Sequence, residues 1–591
     1  MPHQAEDSGA HNSDQITDHE SPSIATTVGI AEFRDETRPR KSDEKLPVDT
    51  GRIADKIEVK GQLEEQALID STLEGWRFQF VNLAMCLSLF LSQLEATIVS
   101  TSLVSITSSL RAFSKSSWVV SVYLLTYTGF LIIIAKLSDI FGRKNFIVLV
   151  LGSFVAFSIG CGFSNDMTTL IVLRAFQGIG GGGMYAMAFI VLPEMVPISK
   201  YALYTAILAS TIALAGLSGP LIGGAVNRNH DDTFAWRWIF LLNGPAGGVA
   251  LALVLLAMPS NFPNHRKESP RKFGAVLTVE NFKRIDVIGL LLLLGASILF
   301  VTALEEGGTR YSWHSVITLS LLIISLVLWV LFLTWEWYQS NHETKQEPVF
   351  PWRLATNRFA AGVFLNSFFT GAAMTTVIIN LPQRFQVVNG NSPLEAGCRL
   401  LALTISIPFG SFIGGVLVQK LCVPFMWVLM GFAPLQIAGL VLLGFSSSNK
   451  DIPSAIYGYQ VVAGLGLGGS LGVSIMMIPF IATKQDMAVG MSGAGQFRAL
   501  GGSIGIAIST NVLNKHITST LSSILSPIQL NELLQSAEVL AEFPPRLLTI
   551  TRQAYSDAYN TQMFVLAAFS AATLMTTVLF WEKTPRRMTK S

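Results

Sequence analysis

Residues 117–164 read SWVVSVYLLTYTGFLIIIAKLSDIFGRKNFIVLVLGSFVAFSIGCGFS. Two long apolar runs flank a short polar turn, AKLSDIFGRK at 135–144. Each run is long enough to cross hydrocarbon about 30 Å thick, which takes roughly 20 helical residues. The turn carries one acid, Asp139, among three bases, Lys136, Arg143 and Lys144. Gly142 permits the chain to reverse tightly there. Asp139 falls near the end of a helix, where an anion is badly placed against the helix dipole. Its expected partner is therefore a base of this turn or of a neighbouring loop. The plainer alternative is a basic loop that only marks the cytosolic side.

The same unit, an apolar run closed by a short polar turn, recurs along the chain. Expected membrane helices cover 79–106, 117–136, 145–164, 169–192, 203–225, 238–258, 285–304, 315–336, 359–381, 400–419, 424–445, 454–480, 488–510 and 561–581, which makes 14. Residues 1–75 precede them, with SDQITDHESPS and RDETRPRKSDEK, too polar to bury a core. They are expected to form a disordered cytosolic tail. The segment 511–560 is expected to be an external loop with short helices, and 583–591 a cytosolic C-terminal tail.

Composition agrees with this pattern. Half of the 591 residues are hydrophobic (50%) and only 14% are charged, against about 25% in a soluble domain. Mean hydropathy is +0.48. The net charge of +2 conceals a division. The first 75 residues hold 17 acids and 8 bases, the rest 22 acids and 33 bases. A nucleic-acid binder would show a concentrated basic surface, and no such role is expected. Twenty of those 33 bases lie on one side if the N-terminus is cytosolic, and ten on the other. That bias places both termini in the cytosol. Cys86, Cys161, Cys398 and Cys422 are too scattered for a disulfide framework or a metal site. The eight histidines form no cluster for metal or acid–base catalysis, so no enzyme activity is expected. No Gly-rich loop ending in Lys-Ser/Thr suggests ATP-driven pumping.

Several segments together resemble the major facilitator superfamily, and within it the 14-helix drug:proton antiporter group of fungal multidrug and secondary-metabolite efflux type. The turn is similar to the family's loop between helices 2 and 3 through Leu137, Asp139, Gly142, Arg143 and Lys144, with Ala135 at the usual first glycine. In LIVLRAFQGIGGGGMYAMAFIVLPE, Arg174, Gln177, Gly178 and Gly180 match a family pattern. AGLSGPLIGG, 215–224, resembles the antiporter helix signature through Gly219, Pro220, Gly223 and Gly224, with Ala215 replacing its first glycine. WRWIFLLNGPAGG (236–248), LEATIVSTSLVSI (94–106), LPQRFQVVNGNSPLEAGCRLL (381–401) and GQFRALGGSIG (495–505) extend the likeness over nearly all of 78–582.

The resemblance implies an all-α polytopic membrane protein with two six-helix bundles, 76–258 and 359–582. Two inserted helices, 285–336, would lie between cytosolic linkers 259–284 and 337–358. It implies a proton-coupled exporter of moderately apolar drugs, toxins or secondary metabolites, working by alternating access. The alternative is a siderophore or basic amino-acid carrier of the same architecture. A membrane enzyme or a receptor on this scaffold is the reading from other classes. A gate latch is implied for Asp139, Gly142, Arg143 and Lys144. The expected partners are a small-molecule substrate, protons and lipid, with a monomer, no cofactor and a proton gradient as energy source. The plasma membrane is the expected site, with a vacuolar or vesicular membrane open.

Glu95 is the clearest acid inside an apolar run, and Arg174 falls at a compatible depth. Intramembrane charges are expensive and need partners. The pair is expected to couple protons to transport, or alternatively to fix helix packing as a static ion pair. Glu306, Gln496 and Arg498 are further candidates for substrate contact or gating, with Gln177 beside Arg174.

Overall fold

A computed structural model describes residues 73–582 except the short stretches 111–115, 198–199, 227–234, 264–277, 309–310, 343–345, 447–451, 484–485, 536–539 and 541–542. The expected N-terminal tail, most of the 259–284 linker and the C-terminal tail lie outside the described residues. All the described residues belong to one unit, Gln62–Ser591.

The long helices are α1 (Gly75–Ser109), α2 (Ser116–Phe141), α3 (Arg143–Gly162), α4 (Met167–Met195), α5 (Tyr201–Val226), α6 (Arg237–Ala257), α7 (Val287–Glu306) and α8 (Val316–Asn341). They continue with α9 (Arg358–Val387), α10 (Leu401–Gln419), α11 (Phe425–Gly444), α12 (Ala455–Ile481), α13 (Met487–Leu521) and α14 (Pro545–Thr576). Without water, every backbone N–H and C=O must be satisfied within its own segment, so these apolar runs become helices. Side chains close several exposed ends. Asp166 accepts from Thr169 N at the start of α4, and Asp286 from Gly289 N at the start of α7. Ser392 and Glu395 form a capping box on the short helix Pro393–Arg399 that leads into α10.

Thirteen described helices are long and apolar enough to span a membrane. The long helix outside that group is α13, diluted by GAGQFRALGGS. With it the long helices number fourteen, and the chain is a multi-pass membrane protein. One expectation is corrected. The segment 511–560 is not mainly a loop, because α13 runs to Leu521 and α14 begins at Pro545. Ile517 and Leu521 of α13 pack with Leu533, Tyr555 and Tyr559 into a satellite core. These helix ends are amphipathic, so their hydropathy falls while their helical period persists.

The first six helices pack among themselves, α1 on α5 and α6, and α2 and α3 on α4. In the second set, α10 and α11 enclose α12, while α9 lies on α13 and α14. Backbones meet closely on α12. A Cβ at Gly468 would collide with the carbonyl of Ile407, and one at Gly466 with the backbone of Gln436. Such contact brings dispersion attraction where lipid removes the hydrophobic drive. The two sets meet where α5 packs on α10 and where α13 packs on α2 and α4. Leu217 and Leu221 of α5 face Gly397, just before α10. Of the inserted helices, α7 packs on α2 and α13, and α8 packs chiefly on α7. Val316, Ile323, Leu326, Val327 and Val330 of α8 are exposed, as expected of a face turned to lipid.

Candidate functional site

Glu95 lies two-thirds of the way along α1 and Arg174 in the first half of α4, both fully buried. The fold brings them together. Arg174 Nη1 donates to Glu95 Oε1 at 2.5 Å and to Gln177 Oε1 at 2.9 Å, and its Nε donates to the Val119 carbonyl at 3.0 Å. The other oxygen of Glu95 accepts from Asn243 Nδ2 at 2.6 Å. Asn243 and Gln177 both donate to Ser158 Oγ, at 2.8 and 2.9 Å, and Ser158 donates to the Phe240 carbonyl. Helices α1, α2, α3, α4 and α6 therefore converge on one ion pair. Asn243 follows a break in α6 at Leu242, and its side chain is buried.

The chemistry of this cluster is specific. Arg174 keeps two neutral acceptors, Gln177 and the Val119 carbonyl, in addition to Glu95. The Tyr123 ring lies 4.4 Å below the guanidinium and stabilises a cation by its π face. Neutral groups thus share the Arg174 cation with Glu95, while its Nη2 is buried without a hydrogen-bond partner. The sequence alone does not single out Asn243, Ser158 or Tyr123. Asn243 stands inside the 236–248 motif; Ser158 and Tyr123 carry no signal above many other serines and tyrosines.

Tyrosines lead from this cluster toward the second bundle. Tyr123 lies 5.9 Å from Tyr127, and Tyr127 lies 6.0 Å from Tyr185 of α4, between ring centroids. The Arg498 guanidinium of α13 sits 5.2 Å from the Tyr185 ring. Gln93 donates to the Tyr127 hydroxyl at 3.1 Å. Arg498 is thus at the bundle interface. Gln496 is not; it donates to Ser297 of α7 at 3.0 Å. Glu306 ends α7, where neighbouring Gly308 approaches Asn511 of α13. Neither Gln496 nor Glu306 joins the Glu95 cluster.

The 135–144 turn forms a second polar centre. Gly142 adopts φ +89°, a region that favours glycine. Arg143 pairs with Asp139 at 2.5 Å and grips Glu194, at the end of α4, through Nη2 at 2.8 Å and Nε at 3.1 Å. Its third nitrogen donates to Ser138 Oγ at 2.6 Å. Glu194 is the acid that sequence reasoning missed, 51 residues away in LPEM. Lys144 stands apart, donating to the carbonyls of Met258 and Leu255 at the end of α6. Cations suit that position because terminal helix carbonyls lack partners. Lys136 reaches Glu347 at 2.7 Å, and Arg284 holds the same carboxylate at 2.5 Å. Glu347 thereby ties α2 to both linkers around the inserted pair.

The signature on α5 divides between neighbours. A Cβ at Gly219 would strike Thr97 and the backbone of Ile98, so this glycine sets an α1–α5 contact inside the first bundle. Leu217 and Leu221 make the contact toward α10. Gly223 is buried, and Pro220 and Gly224 belong to the same helix with side-chain surroundings outside the described residues.

Fourteen long helices in two sets, with a buried ion pair in one and a basic turn braced at its end, define a membrane carrier. The chain belongs to the major facilitator superfamily, whose family model matches residues 85–506. The chain is 44% identical to the MFS-type transporter FPY5 of Fusarium mangiferae over 87% of its own length and 85% of that protein's. It is 32% identical to the MFS-type efflux pump LUC4 of a Fusarium species, covering 77% of each. Among solved structures it resembles a bacterial homologue of the lysosomal transporter Spinster in an inward-facing, unoccupied conformation. The TM-score is 0.54 at 16% identity, over 87% of this chain and all of that one. That likeness concerns the fold alone.

Proposed function

We propose that this chain is a proton-coupled exporter of moderately apolar small molecules, with Glu95 as the proton carrier. The carrying observation is the double support of Arg174. Its cation is shared among Glu95, Gln177 and the Val119 carbonyl, so two neutral acceptors remain when Glu95 takes up a proton. Proton uptake on Glu95 releases the Arg174 guanidinium from its charge partner. Because five helices meet at the pair, the change is felt across the first bundle. Alternating access then proceeds as rocking of one bundle against the other. The efflux names of relatives and the Gly219-containing helix favour export over uptake.

The protein on this reading is a monomer in the plasma membrane with cytosolic termini. Its substrate is the small molecule that accumulates in cells from which the gene is deleted. Reconstituted into liposomes, wild-type protein should move that molecule in response to an imposed proton gradient. Glu95→Gln should abolish the gradient response while leaving substrate exchange. Undiminished gradient-driven transport by Glu95→Gln, with insertion verified, overturns the reading.

A further inference from the structure

We propose that Arg498, with Tyr185 and Tyr127, forms an anion-selecting substrate site, and that the molecules it selects are small aromatic acids. The proposal rests on the carrier reading above and names the substrate class.

Arg498 stands apart from the ion-paired cations of the membrane body, and it shares an unpartnered buried Nε with Arg399 and Arg552. Glu95 is engaged by Arg174, Asp139 and Glu194 by Arg143, Glu347 by Lys136 and Arg284, and Asp486 by Arg353. Among the described residues Arg498 has no acid partner, and its Nε is buried without a hydrogen-bond partner. An arginine at this depth is costly unless it is paired, faces a cavity or serves transport. Its neighbours are π faces and phenols. A ring stabilises a cation only partly. A carboxylate would do so better, since the guanidinium fork matches its two oxygens.

The position is right for a transported molecule. Arg498 comes from α13 of the second bundle and Tyr185 from α4 of the first, so both bundles contribute. One turn earlier on α13, a Cβ at Gly495 would lie 2.7 Å from Tyr185 Cε1. A side chain there would push Tyr185 away. Phe189 lies 4.6 Å from the Tyr185 ring and extends the apolar surface. A planar ring slipping between the bundles can stack on Tyr185 while its carboxylate takes up Arg498. A cationic solute would meet like charge at Arg498, which argues against basic amino acids as substrates. The Tyr123–Tyr127–Tyr185 series of ring contacts runs from this site to Arg174.

The test uses the full-length protein in lipid nanodiscs and three probes: 2-naphthoate, 2-naphthalenemethanol and 2-naphthylmethylammonium. Wild type should bind the carboxylate about tenfold or more tighter than the alcohol, the scale of one charge-assisted hydrogen bond. The ammonium should bind most weakly. Arg498→Gln should bring carboxylate and alcohol within about twofold, mainly by loss of carboxylate affinity, with a thermal unfolding midpoint close to that of wild type certifying the fold. Arg498→Lys should retain part of the preference. Equal affinities in wild type, no binding of any probe, or full discrimination by Arg498→Gln overturns the proposal. Selective naphthoate binding without gradient-driven transport refutes the exporter reading and leaves this site standing. Gradient-driven transport without charge preference refutes this site alone.

Discussion

Replacing Arg174 by Gln tests the ion pair most directly. The change removes the 2.5 Å contact with Glu95, the 2.9 Å bond to Gln177, the 3.0 Å bond to the Val119 carbonyl and the cation above Tyr123. Glu95 keeps only neutral partners, Asn243 and Gln177. Stranding one member of a buried pair costs about 3–5 kcal/mol. At about 1.4 kcal/mol per factor of ten, even the lower figure changes the folded-to-unfolded ratio on the order of a hundredfold. Glu95→Gln strands the cation instead and should fall at the low end, because Arg174 retains its neutral acceptors. The double variant carries no charge at the site and places amides among Asn243, Ser158 and Gln177. It should lie within about 2 kcal/mol of wild type, since removing a whole buried pair is often nearly neutral. The assay is equilibrium unfolding of the purified protein in mixed micelles, for wild type, both single variants and the double. The sum of the single costs should exceed the double by at least about 3 kcal/mol. Single costs that add to the double within about 0.5 kcal/mol, as independent sites do, refute the reasoning.

The edges of the bundles carry further predictions. Burial raises the Glu347 carboxyl, but the hydrogen bonds and charges of Lys136 and then Arg284 outweigh it and hold the group below the usual range. A depressed folded-state pKa adds stability above the unfolded value of about 4.3, lost as pH falls through the lower folded value. Thermal unfolding from pH 6 down to pH 3 should show this loss in wild type, and Glu347→Gln should flatten that part of the profile. Gly219→Val should destabilise by about 1–3 kcal/mol through the clash with Thr97 and Ile98, whereas valine at exposed Leu326 should change unfolding little.

The helices were legible because lipid demands long apolar runs, and those runs are visible without any partner. The ends of α13 and α14 were not, because Tyr555, Tyr559, Ile517 and Leu521 cover one another beyond the apolar stretch. Glu95 and Arg174 stood out as lone charges in apolar surroundings. Their neutral partners did not, since a serine such as Ser158 is ordinary in a membrane helix until its neighbours are known. Asp139 and Arg143 could be read from one short turn, but Glu194 becomes their partner only when α4 returns to the same end of the bundle. Arg498 was visible as a charge, while its facing ring, Tyr185, is more than three hundred residues away in sequence.

The contrast between α8 and α12 bears on how this sequence can change over time. On α8, Val316, Ile323 and Leu326 face outward, so each needs only to remain apolar. Leucine, isoleucine, valine and phenylalanine are nearly equivalent there. On α12, a single methyl at Gly466 or Gly468 meets another helix's backbone, which has no rotamer with which to yield. Descendants of this chain should therefore drift freely along α8 while holding α12 to glycine, and the two helices would record lineage at very different rates.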